Sequence, residues 1–335
     1  MLELLCSRVG NLRRAPTVAA RCLQARGFTI AIDGPAASGK SSTARAVAQQ
    51  LGFGYIDSGS IYRCATLLAL RKNIYAADSS DGGDEQSQKL VDLISKANID
   101  INIKPGSGWS AQSAAGTGRL VVPDVQVLLD GEDVSREIRA PEINRLVAKV
   151  ASDGGVREAV LHTQRYLAYA AETRPASTPE GRGADSSGTP GGGVVMDGRD
   201  IGTTVFPKAE LKIYLDASAM ARAIRRWDEM NSHMKETQAA AAAAAAHKNS
   251  ADRDAAKKDG DQTSQASVSY PSVEDIAREL EQRDYADINR KHSPLRIASD
   301  AVVIDNTNMT FEHQVYSIVD LARERMGLPR RYDEL

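Results

Sequence analysis

The stretch Gly34-Pro35-Ala36-Ala37-Ser38-Gly39-Lys40-Ser41 constrains the fold of this chain more than any other feature. It fits the pattern G-x-x-x-x-G-K-[S/T], follows an apolar run at 28–32 and precedes an amphipathic stretch at 40–51. In such a strand–loop–helix unit the glycines let backbone N–H groups point at a phosphate, and the helix N-terminus adds positive potential. The pattern therefore predicts a nucleotide site, with Lys40 on the β and γ phosphates and Ser41 on Mg²⁺.

Apolar runs along the chain indicate an α/β fold. Five of them are typical of strands, and most are continuous, as in a sheet buried on both faces; they cover 28–32, 54–56, 194–196, 211–215 and 301–304. Helical spacing fits the segments 40–51, 86–97, 141–151, 156–172, 218–232, 272–283 and 310–326. Alternation of strands and helices predicts a parallel sheet with right-handed crossovers. The stretches 98–104 and 119–130 predict a small antiparallel appendage.

Several segments differ from this core. Residues 1–27 hold five arginines, one acidic residue and no lysine, which is typical of a transit peptide for the mitochondrial matrix; the alternative is an uncleaved tail on a cytoplasmic protein. Residues 105–118, 174–193 and 233–270 are rich in small and polar residues. Such tracts cannot bury enough apolar surface to offset the entropy of ordering them. The remainder, about 250 residues, favours one folded unit over two.

Composition excludes several classes of protein. The 42 Lys and Arg residues against 44 Asp and Glu give a net charge of -2, which argues against nucleic-acid binding by positive charge. No apolar run approaches the roughly 20 residues of a membrane helix. Three cysteines are too few for a disulfide framework or a zinc site. We therefore expect small-molecule substrates, with neither nucleic acid nor membrane as a partner.

A second apolar strand, 194–196, ends on the carboxylate Asp197, in the manner of a Walker B element. In a parallel sheet that position lies near the metal of a P-loop site, so we expect Ser41 and Asp197 to hold Mg²⁺. An Asp-Gly turn without a metal is the alternative.

Arginines follow strands or share helix faces around the same edge of the predicted sheet; they are Arg63, Arg199, Arg222, Arg225, Arg226, Arg283 and Arg290. A guanidinium group can donate two parallel hydrogen bonds to two oxygens of one phosphate. The set therefore favours phosphoryl transfer to an acceptor that is itself a phosphate. Such an acceptor is an anion near pH 7, because its second pKa is about 6. Positioning of the two phosphate groups and neutralisation of their charge then suffice for catalysis, and no general base is required.

These motifs together resemble the bacterial-type cytidylate kinases, a family of P-loop nucleoside monophosphate kinases. The resemblance rests on the P-loop with the preceding Ile-Asp, on DSGSIYR at 57–63, GEDVS at 131–135, DGRDIG at 197–202 and RDYADINR at 283–290, in family order over about 28–328. It implies a three-layer P-loop NTPase fold with five parallel strands, an enlarged monophosphate-binding insert at about 64–172 and a lid at about 222–290. The tracts 174–193 and 233–270 would then be insertions, the second within the lid.

The resemblance also implies ATP and Mg²⁺ as cofactors, CMP or dCMP as the acceptor, and a monomer. The ATP phosphates would be held by Gly34, Pro35, Ala36, Ala37, Ser38, Gly39, Lys40, Ser41 and Ser42. The groups that act on the transferred phosphoryl would be Lys40, Arg199, Arg222 and Arg225. The acceptor phosphate would be bound by Arg63, Arg199 and Arg290, the base by Arg157 and Asp200, and the ribose by Arg283 and Asp287, while Ser58 would also contact the substrate. Residues 305–307 would lie near adenine.

The choice of base follows from hydrogen-bond chemistry. Asp200 can accept from the amine of cytosine and would repel the carbonyl of uracil, so the resemblance implies a preference for CMP. Nine residues before Arg157 the family often carries a serine, and this chain has Ala148. The alternatives are another P-loop kinase that acts on UMP, AMP or shikimate, and a non-catalytic P-loop regulator that binds nucleotide without an acceptor.

Overall fold

The computed structural model describes residues 27–74, 84–104, 120, 122–173, 192–231 and 271–332. The strands are β1 Phe28–Asp33, β2 Gly54–Asp57, β3 Ile99–Ile103, β4 Val125–Leu129, β5 Glu132–Asp133, β6 Gly193–Asp197, β7 Leu211–Asp216 and β8 Val302–Asp305. The helices are α1 Lys40–Leu51, α2 Ser58–Arg71, α3 Asp84–Lys96, α4 Pro141–Ser152, α5 Gly154–Thr173, α6 at 219–231, α7 Val273–Asn289 and α8 Phe311–Arg325.

The main sheet has five parallel strands in the order β2-β6-β1-β7-β8. This confirms the predicted α/β fold and the five predicted strand positions. Side chains of β1 alternate between the two faces: Ile30 and Ile32 pack with α1 and α8, and Ala31 packs in the core that contains α2 to α5. Helices therefore cover both faces, which explains why the strand sequences are continuously apolar.

Each of these five strands ends on an aspartate, namely Asp33, Asp57, Asp197, Asp216 and Asp305. Three of the carboxylates accept from backbone N–H groups of the segment that follows: Asp57 from Ser60 in the first turn of α2, Asp216 from Ala217 and Asp305 from Thr307. In a parallel sheet these ends meet at one edge, where ligands bind. The row of carboxylates therefore fixes the loops from which the site is built.

Helix α2 is the element that the sequence patterns did not predict. Asp57 caps its N-terminus, and its side chains are buried on nearly every face, including Ile61, Cys64 and Leu68. A helix that packs against neighbours all round has no polar stripe, so it lacks the 3.6-residue periodicity that reveals other helices. Helix α7 likewise extends to Asn289, beyond the predicted end at 283.

The predicted antiparallel appendage is present as β3, β4 and β5. A two-residue turn joins β4 to β5, and both Asp130 and Gly131 have positive φ, 52° and 88°. Asp-Gly is a sequence that favours such a turn, because both central residues must adopt the left-handed region. Ile99, Val127 and Leu129 of the appendage belong to the same core as α2 and α5, and β3 lies against β2.

A third, smaller apolar cluster lies apart from the two main cores. It joins Ala36 of the P-loop to Ala223 of α6 and to Ile276, Ala277 and Leu280 of α7. Among the described helices none has the length and apolar composition needed to cross a membrane.

Much of the predicted leader and of the low-complexity tracts lies outside the described residues. The predicted tract 174–193 nevertheless reaches into the sheet, because Gly193 is the first residue of β6. A Cβ atom at Gly193 would lie 2.5 Å from the Phe53 ring, so only glycine fits there.

Candidate active site

The P-loop follows β1 and ends at α1, and its two glycines are there for geometric reasons. Gly34 has φ 150°, and a Cβ atom there would lie 2.1 Å from the carbonyl oxygen of Leu215. Gly39 has φ 85° and is the N-cap of α1. The loop therefore wraps closely round the N-terminus of a 12-residue helix, where backbone N–H groups and the helix dipole attract an anion.

Lys40 lies at the centre of this loop. Its ammonium group donates to the carbonyl oxygen of Pro35 and, at 3.3 Å, to Ser38 Oγ. Burial, and then the neighbouring charge of Arg199, hold the pKa of Lys40 well below its usual range, against the attraction of Asp197. The loop thus concentrates a cation and several N–H donors at the place where phosphates are predicted to bind.

Asp197 lies beside the P-loop, as its position at the end of β6 predicted. Ser41 Oγ donates to its Oδ2 at 2.6 Å, and Tyr55 Oη donates to its Oδ1 at 2.8 Å. Burial, and then repulsion from Asp57, raise the pKa of Asp197 to about 6. The fully buried Tyr55 carries no motif of its own, and the sequence patterns missed it.

This pair of oxygen donors fits Mg²⁺. The ion prefers hard oxygen ligands and usually binds through one or two carboxylates, water and substrate phosphates. Asp197 and Ser41 supply a carboxylate and a hydroxyl side by side at the phosphate site. No cluster of three His, Cys, Asp or Glu side chains occurs in the described part of the chain, so no all-protein metal cage is seen there.

Arginines and aspartates alternate on the other side of the P-loop. Arg157 Nη2 contacts Asp200 Oδ2 at 2.6 Å, and both side chains are 7% exposed. Arg290 lies 3.6 Å from both Asp200 and Asp287, and Asp287 pairs with Arg199 at 2.9 Å. Residues from α5, from the loop after β6 and from the end of α7 thus form one charged network. Its guanidinium groups are held in place before any acceptor arrives.

Ser58 lies at the edge of this network, at the start of α2. Gln164 of α5 donates to its hydroxyl oxygen at 2.7 Å, and both residues are buried. A Cβ atom at Gly198 would lie 3.4 Å from the Cβ of Ser58, which places Ser58 next to the loop that carries Asp200. Gln164, seven residues after Arg157 on the same helix, is a further residue that the sequence reading missed.

Two of the predicted acceptor residues stand apart from the network. Arg63 donates to Asn144 Oδ1 at 2.6 Å and to the carbonyl oxygen of Ile138 at 3.1 Å, so it is held by the segment before and within α4. Among the described residues Arg283 forms no ion pair, but its charge acts on Lys40.

The arginines of α6 have separate partners. Arg222 donates to the backbone oxygens of Ala217 and Ala36 and pairs with Asp284. Arg225 donates to Asn306, at 2.8 Å to Oδ1 and at 2.7 Å to the backbone oxygen. Arg226 pairs with Glu229 at 3.1 Å, and both side chains are exposed. Arg222 therefore reaches the P-loop directly, and Arg225 reaches it through Asn306, whose amide donates to the carbonyl oxygen of Ser38.

Asp33 is a buried carboxylate that links the two halves of the site. Its two oxygens accept from the backbone N–H groups of Ile201 and Gly202, at 2.8 and 2.7 Å. Burial raises its pKa to about 6, although these two hydrogen bonds act in the opposite direction. Asp33 immediately precedes the P-loop and thereby fixes the turn that carries Arg199 and Asp200. Its place at a strand end was the signal that could have revealed it.

Comparison with known proteins agrees with this geometry. The family model for cytidylate kinase matches residues 30–186, 184–260 and 249–324. The cytidylate kinase of Desulforamulus reducens is 36% identical over 290 residues, which is 87% of this chain and 94% of that protein. The cytidylate kinase of Pelodictyon phaeoclathratiforme is 35% identical over 297 residues, 88% of this chain and 95% of that protein. This chain belongs to the cytidylate kinase family.

One relative is a longer, bifunctional protein of which this chain covers only a part. The bifunctional pantoate ligase/cytidylate kinase of Gloeobacter violaceus is 32% identical over 320 residues, 96% of this chain but 47% of that protein. The family is one of phosphotransferases, so the match confirms the predicted enzyme class. It leaves the role of each site residue as a prediction.

Proposed function

We propose that this chain transfers the γ-phosphoryl group of ATP to CMP or dCMP and so forms CDP or dCDP and ADP. The observation that supports the reaction best is the buried pair of Arg157 and Asp200 beside Arg199 and Arg290, next to a complete P-loop. A nucleotide-binding regulator needs the P-loop alone. Guanidinium groups gathered beside a P-loop in this way fit the binding of a second anion.

The reaction itself needs little from the protein beyond placement. An oxygen of the acceptor phosphate forms a bond to the γ phosphorus, and the bond to the β–γ bridging oxygen breaks, so that ADP leaves with the electron pair. The acceptor is an anion at pH 7 and needs no base. Repulsion between the two phosphate groups is the barrier that Lys40, Arg199 and Arg290 would offset.

The charged network also supports a preference for cytosine. The groups that would face the base are Arg157 and Asp200, of which Asp200 is the hydrogen-bond acceptor, and Ser58 would contact the substrate beside them. A buried carboxylate gains a hydrogen bond from the amine of cytosine and meets repulsion from the carbonyl of uracil, which can separate the two substrates strongly. Arg283 and Asp287 would hold the ribose hydroxyls from α7.

Mg²⁺ would bind at Ser41 and Asp197 and would supply charge neutralisation between the phosphates of ATP. The residues of this chain prepare that position, because Tyr55 and Ser41 fix both oxygens of Asp197. We also propose that the enzyme acts as a monomer, since the P-loop and the acceptor network both come from one chain.

A monophosphate screen tests the proposed reaction. The purified full chain with Mg²⁺ and ATP would be assayed on CMP, dCMP, UMP, AMP, GMP and shikimate, with ADP release as the measurement. We expect the highest kcat/KM for CMP or dCMP. Lys40→Ala should abolish transfer in a folded protein, and Arg63→Ala should raise KM for the acceptor while leaving KM for ATP unchanged. A higher kcat/KM for UMP, AMP or shikimate would contradict the proposal.

We further propose that the enzyme works in the mitochondrial matrix. The support is the arginine-rich, acid-poor composition of residues 1–27, of which 1–26 lie outside the described residues. Fusion of residues 1–30 to a fluorescent reporter should direct the reporter to mitochondria, and replacement of the five arginines by glutamine should leave it in the cytosol. A reporter that stays cytosolic with the native segment would favour the cytoplasmic alternative.

A further inference from the structure

One peptide unit of the P-loop is held from both sides by a buried ion pair. The N–H group of Ala36 donates to Asp284 Oδ1 at 3.1 Å, and the carbonyl oxygen of Ala36 accepts from Arg222 Nη1 at 2.9 Å. Arg222 Nη1 also contacts Asp284 Oδ2 at 2.7 Å. The three residues thus form a closed ring of contacts between the P-loop, α6 and α7.

The same three residues are almost fully enclosed. Ala36 is 3% exposed, Arg222 5% and Asp284 9%. A buried ion pair contributes little net stability, because desolvation of the two charges offsets most of their attraction. Its value lies in the geometry that it imposes, and here that geometry is imposed on a single peptide of the P-loop.

Apolar contacts join the same partners independently. The methyl group of Ala36 packs in the cluster that contains Ala223 of α6 and Leu280 of α7. The next residue, Ala37, has φ 58°, a left-handed conformation that a non-glycine residue holds only where its surroundings constrain it. Helices α6 and α7 therefore fix both the side chain and the backbone of Ala36, directly before the residue with the left-handed backbone.

Helix α7 reaches the acceptor network as well. Asp287 lies one turn after Asp284 and pairs with Arg199, and Arg290 caps the helix beside Asp200. A displacement of α7 on binding an acceptor would therefore act on Ala36 through Asp284, and a displacement of the P-loop on binding ATP would act on Asp287 and Arg290.

We propose that Asp284, together with Arg222, is a positioning residue that couples the acceptor site to the P-loop. The inference rests on the proposed function for the identity of the two ligands. Because coupling between two sites is reciprocal, an ATP analogue should tighten CMP binding by the same factor by which CMP tightens the analogue. We expect a factor of at least about five, the lower end of typical couplings.

Calorimetry on the full chain measures this coupling directly. The Kd of CMP would be determined with and without a saturating non-hydrolysable ATP analogue and Mg²⁺, in the wild type and in Asp284→Ala. The wild type should show the tightening, and Asp284→Ala should bind each ligand alone while the factor falls towards one. Glu281→Ala is the matched control, because it removes an exposed carboxylate from the same helix.

Two milder variants keep the test decisive if Asp284→Ala does not fold. Asp284→Asn retains an oxygen that can accept from Ala36 but turns an amide donor towards Arg222, so its coupling should be partial. Arg222→Lys keeps the charge but loses the fork that reaches Ala36 and Asp284 together, and its coupling should fall as well. In steady-state kinetics, both variants should show a higher KM for CMP than the wild type at saturating ATP.

The outcomes separate the two proposals. A wild type that binds no CMP overturns the proposed function, and this inference with it. A wild type that binds CMP without any effect of the analogue overturns this inference alone. So does a folded Asp284 variant that is less stable to heat but keeps the wild-type coupling factor, because Asp284 would then serve only to stabilise the fold.

Discussion

At the scale of single residues, the site depends on buried polar groups to which the sequence patterns assigned no role. Asp33, Tyr55, Gln164 and Asp284 each hold a group that the sequence patterns identified, and each is at least nine-tenths buried. Buried polar groups are costly unless they are bonded, so the bonds that they make define where the arginines and carboxylates of the site lie. Two of these residues allow direct tests.

Tyr55→Phe removes the hydroxyl group that donates to Asp197 Oδ1 at 2.8 Å. Asp197 would then be fixed by Ser41 alone, and loss of such a supporting contact typically weakens metal affinity by 10-fold or more. We expect the Mg²⁺ concentration for half-maximal activity to rise about tenfold, with little change in KM for CMP. Tyr316→Phe, the same chemical change on α8, is the matched control. An unchanged Mg²⁺ requirement in Tyr55→Phe would contradict the role assigned to Tyr55.

Asp33 predicts a particular dependence of stability on pH. The pKa of the Asp33 carboxyl is 3.8 in an ordinary, unfolded environment, and burial raises it to about 6 in the folded protein. Between pH 3.8 and pH 6 the folded protein therefore holds a proton that the unfolded chain releases. Raising the pH from 4 to 6 therefore weakens folding through this group by about 2 kcal/mol. The variant Asp33→Asn has no carboxyl group at this position, so its free energy of unfolding should not fall in this way.

Denaturant unfolding of both proteins between pH 4 and 7 measures the effect of Asp33. The free energy of unfolding of the wild type should fall relative to that of Asp33→Asn as the pH rises to 6 and should run parallel above about 7. A difference that stays constant across the whole range would show that Asp33 does not bind a proton in this window.

At the scale of elements, α3 shows how a peripheral helix is attached to the core. Leu90 and Ile94 of α3 are 0% and 1% exposed, whereas Leu93 is only partly buried. A leucine that is removed from a closed core leaves a cavity, and such changes typically cost about 2–5 kcal/mol. We expect Leu90→Ala to lower the free energy of unfolding by about 3 kcal/mol.

Leu93→Ala provides the comparison for that prediction, since it removes the same atoms from the same helix at a more exposed position. Its cost should be smaller, and urea titration of both variants would give the difference. Equal costs would mean that α3 is not anchored mainly through Leu90.

At the scale of the whole molecule, the site draws on residues from Asp33 in β1 to Arg290 after α7. Ligands that bind such a site stabilise the entire fold, because only the folded chain brings the residues together. CMP and an ATP analogue at 100 times their Kd should add about 2.7 kcal/mol each, which corresponds to a rise in Tm of about 5–10 °C for each ligand.

UMP at the same concentration is the control for that experiment. The repulsion between its carbonyl and Asp200 should leave Tm nearly unchanged, and differential scanning calorimetry with each nucleotide would record the shifts. A rise with UMP that equals the rise with CMP would remove Asp200 as the basis of the choice between cytosine and uracil.

The sequence by itself determined the architecture and the class of chemistry. Local patterns suffice for that purpose: continuous apolar runs for the five parallel strands, alternation at 98–104 and 119–130 for the antiparallel appendage, and the glycines with Lys40 and Ser41 for the P-loop. The order of motifs also implied the family, which the comparisons confirmed. Helix α2 was not predicted, because burial on nearly all sides removes the hydrophobic periodicity on which a helix prediction relies.

Only the tertiary structure decided which polar groups support the site. The bond from Gln164 to Ser58 joins residues 106 positions apart, and that from Ala36 to Asp284 joins residues 248 positions apart. No local pattern encodes such pairs, since they form only when the sheet brings its strand ends and helix α7 to one edge. The identity of the arginines was readable in the sequence, but the partner of each one depended on the packing of distant elements.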